Sequence, residues 1–508
     1  MESGTKNKNF TKSLAISVFM TCLGSSFVIG YNLGVLNLPA DHVKQFLSQT
    51  ILGKNASEAE NKSDLLTPSF LYAQVSTAFV VAGAIGAFSC GGIADSLGRR
   101  NGLLLNHLFA IVGGVLCGPC VRLNQPALLF VGRFLNGFNS GVSIGIASMY
   151  LTEIAPISLR GGIGSSHQLA LTVGICVSYL ATLTFTFNTE VLWPIAIAVG
   201  SIPALISLII LPYCPESPRF LFVKKGKEAE ARKAFKRLNC KDDIDAIFDE
   251  MAQEMKLAKS QPPFKFSRLF TQKDLRMPVI IACLLQVFQQ LSGINAVITY
   301  SSTMLKTAGI PDMYIQFCVV AVGAINVIMT IVSVFLIERA GRRTLLLWPS
   351  VLLAISLLFL TITVNLANTL KDPAAARAAG IISAVFIIIY ICGFALGLGP
   401  VPGLFVSEIF RQEPRAAAYS LSQGINWVCN MLVLFSYPSI NDAIGGYSFI
   451  PFLVIVIICW TFFFLYMVET KNRTCDSIAR DLSSPKVVAC TRPSRLQHKN
   501  AEPFHSSE

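Results

Sequence analysis

The side chains best placed for binding chemistry are carboxamides set deep in apolar sequence: Asn37, Gln168, Gln286, Gln289, Gln290, Asn295, Asn326, Asn426 and Asn430. An amide offers donors and an acceptor in one neutral group, which is what a ligand made of hydroxyls needs from its site. In hydrocarbon such a group is costly. A set of this size therefore asks either for a polar cavity or for cross-helix ties worth roughly 0.6 to 2 kcal/mol each. Gln289 and Gln290 start neighbouring faces of a helix. Asn295, six residues beyond Gln289 and close to two turns away, is expected on the same side as Gln289.

A second set is charged, and it repeats. Asp95-Ser-Leu-Gly-Arg99-Arg100 returns as Glu338-Arg-Ala-Gly-Arg342-Arg343; Glu153 stands seven residues before Arg160, as Glu408 does before Arg415; and Glu216-Ser-Pro-Arg219 has a looser echo in Glu469-Thr-Lys471. The spacing is roughly 250 residues. Topogenic charge alone predicts basic residues but not acids at matched offsets, so the pattern points to duplicated halves with a central site between them. Covalent chemistry finds no support: no Ser/His/acid set, metal cluster or nucleotide loop accompanies these residues. Cys117-Gly-Pro-Cys120 has metal or redox spacing but no His or second pair near it.

The elements that carry both sets are long apolar blocks. Of 508 residues, 53% are hydrophobic and 14% charged, against roughly a quarter charged in soluble domains. About twelve blocks, near 13-37, 72-94, 102-121, 127-151, 163-186, 193-212, 277-300, 313-337, 344-365, 379-406, 417-438 and 447-468, are long enough to cross roughly 30 Å of hydrocarbon as helices. The first is longer than a signal-peptide core and is followed by more spans, so it is read as retained. The predicted organisation is a short segment 1-12, a six-span half 13-212, a charged linker 213-276 with short amphipathic helices, a second six-span half 277-468, and a tail 469-508.

The net charge of +12 sits in short connections and in the linker, a positive-inside pattern and not a nucleic-acid surface. It predicts both termini inside, with the first loop, about 38-71, outside. There Asn55-Ala-Ser and Asn61-Lys-Ser are glycosylation sequons on the correct side; those at Asn9 and Asn472 fall inside and are expected to be silent.

At Gly98-Arg-Arg, Pro215-Glu-Ser-Pro-Arg219, Gln289-Gln-Leu-Ser-Gly-Ile-Asn295, Glu338-Arg-Ala-Gly-Arg-Arg343, Gly399-Pro-Val-Pro402 and Glu469-Thr-Lys471, the sequence resembles the sugar-porter branch of the major facilitator superfamily, specifically its facilitative hexose transporters. The likeness spans about residues 15 to 480. It implies an all-α membrane fold of twelve transmembrane helices in two pseudo-repeated six-helix halves, with a central cavity exposed alternately to each side. It also implies uniport of a hexose, D-glucose ahead of fructose, across the plasma membrane, with the sugar and the lipid bilayer as partners and no cofactor.

The resemblance carries sugar contacts onto Gln168, Gln289, Gln290, Asn295 and Asn326, and puts Asn426 and Trp427 on the eleventh-span side of the cavity. Two departures stand out. The best-known glucose carriers have an acid at the place of Ala395 and a tryptophan at that of Gly403, and the fructose carriers have a histidine where this chain has Phe394. Gln286-Val-Phe288 keeps only the Gln of the glucose-associated triplet. The family's proton symporters place an acid in the first span, where this chain has Asn32, and its non-transporting sensors carry a long tail.

Two mechanical expectations complete the reading. The Gly and Pro cluster from Gly393 to Gly403 weakens the tenth span and suggests a bending gate. The charges Arg99, Glu153, Arg160, Glu216, Arg342, Glu408, Arg415 and Glu469 are expected to form a network across the halves that holds the inside closed. Gly137, Gly141 and Gly145 read as a close-packing seam.

Overall fold

The computed structural model describes residues 11–53, 67–156, 159–238, 244–245, 248–249, 251–252, 267–410, 412–471, 473, 477–478 and 481–482, and these are helical throughout apart from turns and connections. Both expected glycosylation sites, Asn55 and Asn61, lie outside the described residues.

Among the described residues, nine helical stretches are long and apolar enough to cross a membrane. The last, Ala417–Tyr466, contains two helices, and Pro126–Ile154 and Arg160–Ala181 match the rest in length. That makes twelve spans: α1 (Lys12–Gly34), α2 (Pro68–Leu97), α3 (Arg99–Cys117), α4 (Pro126–Ile154), α5 (Arg160–Ala181), α6 (Trp193–Tyr213), α7 (Lys273–Thr307), α8 (Asp312–Ala340), α9 (Arg342–Thr369), α10 (Pro373–Gly393, continued by Phe394–Leu398 and Val401–Ile409), α11 (Gln412–Ile444) and α12 (Ile450–Tyr466). Short helices Ala40–Leu47, Glu228–Leu238 and Arg268–Thr271 lie between spans.

Local chemistry sets many of the ends. Thr67 caps α2 by accepting from the Phe70 N–H, with Pro68 at the first helical position; Asp372 accepts from the Ala374 and Ala375 N–H groups ahead of α10, again with proline next. Side-chain caps satisfy N–H groups that a helix start leaves orphaned, and proline there lacks the one it would orphan. Gly98 (φ +98°) and Gly341 (φ +87°) terminate α2 and α8 in a backbone conformation that L side chains rarely adopt.

The bundle is apolar outside and more polar within, the reverse of a soluble domain. Phe88, Val115, Phe335 and Trp348 are each more than 60% exposed, while Asn32, Asn106, Asn139, Ser140 and Gln286 are buried. Lipid tails match such a surface. Within the first half, α4 crosses α2 on its glycine stripe: a Cβ on Gly137 would lie 2.0 Å from the Phe79 carbonyl oxygen, and one on Gly141 1.9 Å from that of Gly83. The packing seam is therefore structural. Across the halves, α2 packs on α11, α5 on α8 and α1 on α7.

Three expectations need correction. Asn37 is not within the first span but in the turn after Gly34. The seventh span runs on to Thr307 and is broken: Lys273–Leu291 and Ile294–Thr307 meet at Gly293, with φ +96°. Simple helical periodicity does not survive such a break. The third span ends at Cys117, so Cys120 sits in the following turn.

Candidate functional site

The break in α7 gathers the amides. Gln289, on the last turn before it, donates from Nε2 to the carbonyl oxygens of Leu398 (2.7 Å) and Gly399 (3.1 Å), and its Oε1 accepts from Asn426 Nδ2 at 2.8 Å. The same Asn426 Nδ2 donates to Gln286 Oε1 at 2.8 Å, and Asn426 Oδ1 accepts from Gln290 Nε2 at 3.1 Å. Asn295, on the far side of the break, donates to Gln290 Oε1. Asn295 thus joins Gln290, not the Gln289 face that unbroken helical spacing predicts. Ser292 closes the break by donating to the Gln289 carbonyl, and Tyr390 of α10 donates to the Ser292 carbonyl at 3.0 Å.

One connected group therefore links α7, α10 and α11. The carbonyls it uses at Leu398 and Gly399 lie where α10 loses regular α geometry: Phe394–Leu398 is a π-turn and Pro400 follows. The expected weak point of α10 is real, and Gln289 is hydrogen-bonded to it. Gln168 is half-buried and Asn326 buried, and neither side-chain amide has a hydrogen-bond partner among the described residues. The group joins Gln289, Gln290, Asn295 and Asn426, and does not include Gln168 or Asn326. Trp427 is buried, its indole N–H without an acceptor among the described residues, with its ring against α2, where a Cβ on Gly83 would lie 2.3 Å away. The site is neutral. It can recognise hydroxyls by hydrogen bonds, and each such bond contributes about 1 kcal/mol net.

Sequence reading passed over Arg133. It is the one buried cation away from a helix end among the described residues, 3% exposed in α4, and it donates to Asn32 through the backbone carbonyl (3.0 Å) and Oδ1 (3.3 Å). Its guanidinium lies 4.4 Å from the centre of the Phe79 ring. The signal was present: a lone arginine inside the apolar run 127-151 is expensive unless partnered.

The repeated charges build two matching clusters. Arg99 Nη2 pairs with Glu153 Oε1 at 2.9 Å, and Arg342 Nη2 with Glu408 Oε1 at 2.8 Å. Glu216 accepts the backbone N–H groups of Arg99 and Arg100, as Glu469 accepts those of Arg342 and Arg343. Ser217 donates to Glu153 Oε2, and Thr470 to Glu408 Oε2. A Cβ on Gly98 or Gly341 would come within 2.6 Å of the respective glutamate oxygen. These pairs run within each half. The side chains of Arg160 and Arg415 lie outside what the structure describes. Elsewhere, burial pushes the Cys120 thiol up to about 12, so it carries little thiolate at neutral pH.

The halves are instead tied together at the end opposite the termini. Asn37 Nδ2 donates to the Ile298 carbonyl (2.7 Å) and Ser301 Oγ (2.6 Å), Asn37 Oδ1 accepts from the Ser302 N–H (3.0 Å), and Ser302 Oγ donates to the Asn37 carbonyl (2.7 Å). Tyr179 adds a bond to the Ile298 carbonyl at 2.8 Å, and Lys306 pairs with Asp41.

Comparison with known proteins agrees with this architecture. Residues 17–482 match the family model for "Sugar (and other) transporter". The chain is 36% identical over 469 residues to the mouse (Mus musculus) solute carrier family 2, facilitated glucose transporter member 4, covering 92% of this chain and 90% of that protein. It is 37% identical to member 3 from Ovis aries, covering 92% of each chain, and 33% identical to member 5 from Rattus norvegicus, covering 97% of this chain and 96% of that one. The fold matches a partially occluded inward-open structure of the xylose transporter XylE from E. coli, with TM-score 0.71, 22% identity, and coverage of 91% of this chain and 100% of that one. The chain belongs to the sugar transporter family and is a multi-pass membrane sugar porter of the major facilitator fold, related to the facilitated glucose transporters.

Proposed function

We propose that this porter is a uniporter for hexoses, D-glucose ahead of fructose, working by alternating access in the plasma membrane. Both termini would be cytoplasmic, and Asn55 and Asn61 would be glycosylation acceptors on the extracellular loop. The observation that carries the uniport reading is the environment of Arg133, which faces the neutral Asn32 where a proton-coupled porter needs a titratable carboxylate. Gln289, Gln290, Asn295 and Asn426, with Gln168, Asn326 and Trp427, supply the sugar site. Five or six hydrogen bonds offset by ordering costs correspond to binding of roughly 4 to 8 kcal/mol, millimolar to micromolar, which a carrier can still release.

Proteoliposomes test the energetics. Labelled glucose should equilibrate across the membrane and stop there, whatever proton gradient is imposed. Accumulation above the outside concentration under an inward proton gradient would overturn uniport. Competition for deoxyglucose uptake by a panel of sugars tests the substrate preference, and fructose competing more strongly than glucose would reverse it.

A further inference from the structure

At the end of the first half that carries the termini, the α2–α3 turn, the chain leaving α6 and helix Glu228–Leu238 enclose a cavity of about 550 Å³. Small-molecule sites run roughly 300 to 1,000 Å³. Its ionic lining is mostly cationic: Arg100, Lys225, Lys227, Lys233 and Arg237, against Glu216 and Glu230.

The two acids are already engaged. Glu216 accepts three backbone N–H bonds, from Arg99, Arg100 and Ser217, and Glu230 pairs with Lys227 at 2.9 Å. The remaining four cations have no carboxylate partner among the described residues. Arg100 donates to the Pro212 and Cys214 carbonyls and to Asn101 Oδ1, Arg237 to the Tyr213 carbonyl, and Lys225 to the Ser96 carbonyl. Lys233 is exposed and makes no contact of this kind. Bonds to carbonyls fix these side chains in place without neutralising them, and five cations against two carboxylates leave the lining with an excess of three positive charges, which repel one another unless an anion joins them.

Glu469 caps the start of α9 as Glu216 caps that of α3, so the repeated architecture accounts for Glu216 as a helix cap. The cavity also sits where helix ends meet the membrane surface: Leu97 lines it and is 41% exposed, and Tyr213, whose carbonyl holds Arg237, is 77% exposed. Tyrosine favours that interface, and polybasic sites there attract anionic lipid.

We propose that this cavity binds a multiply phosphorylated anion of the inositol-phosphate class, presented as a lipid headgroup. The leaflet is the cytoplasmic one under the topology proposed above, but the binding itself does not depend on that topology. Clustered phosphates match Arg and Lys donors converging from separate elements. Two variants test it in the full-length protein: the triple Lys225→Gln, Lys233→Gln, Arg237→Gln, and Lys233→Glu alone, a position whose side chain holds no part of the fold.

Affinity and melting temperature are measured in nanodiscs of phosphatidylcholine with and without a few per cent phosphatidylinositol bisphosphate, and in detergent with soluble inositol hexakisphosphate. Wild type should melt higher with the phosphoinositide. The triple variant should lose that shift, and Lys233→Glu should weaken binding about tenfold. The same response in wild type and both variants, or no response in wild type, would overturn the site. Tight binding of the soluble probe with no response to the lipid would keep the phosphate site and overturn the lipid source. Sugar uptake in plain phosphatidylcholine vesicles reads the transport proposal separately.

Discussion

Gln289 and Gln290 are adjacent in the sequence but differently engaged. Gln289 donates to the two carbonyls at the irregular part of α10, whereas among the described residues the Gln290 side chain is bonded to the amides of Asn295 and Asn426. Losing one net hydrogen bond to substrate costs about 1 kcal/mol, about fivefold in affinity. Gln290→Leu should therefore raise the half-saturation concentration about fivefold at unchanged surface expression and turnover, read by uptake kinetics. Gln289→Leu should raise it similarly and also lower turnover, because it frees carbonyls that hold α7 to α10. Identical effects of the two substitutions would remove the distinction. Arg133 yields a second test. In Asn32→Asp, a carboxylate would face the guanidinium now bonded to Asn32, and protonating it would release the arginine. Uptake by this variant should rise as pH falls, while wild-type uptake stays flat over the same range. The amides were legible in the sequence because lipid penalises them wherever they occur. The partnership of Asn295 with Gln290 was not, because it depends on how the chain turns at Gly293.

Among the elements, α10 shows how far composition can be read. Its Gly and Pro cluster announced a weak helix, and the structure places a π-turn over Phe394–Leu398. Such turns occur often at functional sites. The sequence could not say which glycines are packed and which are free. A Cβ on Gly397 would lie 2.3 Å from the Leu345 carbonyl oxygen of α9, whereas one on Gly403 meets nothing within 4 Å. Gly397→Ala should push α10 off α9 and reduce transport more than binding, measured as a fall in turnover with smaller change in half-saturation. Gly403→Trp, which restores the residue of the best-known glucose carriers, should be accommodated at normal expression and shift preference toward glucose over fructose. Poor folding of Gly403→Trp with normal behaviour of Gly397→Ala would invert this assignment of packed and open faces. The break in α7 was the less visible of the two, since one glycine in a long apolar run gives little warning without the backbone angle it adopts.

At the scale of the whole molecule, the duplicated charges and the tie at Asn37 bear on one equilibrium. The repeat read from charges alone is realised almost bond for bond: Arg99 with Glu153 and Glu216 in one half, Arg342 with Glu408 and Glu469 in the other. Even the loosest echo proves to be the equivalent pair of caps. What the sequence could not give was the connectivity, because matched offsets within each half are equally compatible with pairing inside a half or between halves. The described pairs brace each half, and the end opposite the termini is held by Asn37 against Ile298, Ser301 and Ser302; a lock between the halves at the termini end remains the proposal that Arg415 tests. Ties made in only one state bias the equilibrium by their own free energy. Asn37→Ala removes three side-chain bonds present with that end closed and should shift the population toward opening there by about 1 to 3 kcal/mol. Arg415→Ala should shift it the other way by a similar amount, and either variant alone should slow transport while sugar still binds. The sites are at opposite ends of the bundle, so the double variant should combine the shifts additively and return toward the wild-type balance. Labelling of single cysteines in the two vestibules of a cysteine-depleted protein reads the balance directly. Shifts in the same direction, or wild-type labelling and flux in Arg415→Ala, would show that the charges at the termini end brace the halves without locking them together.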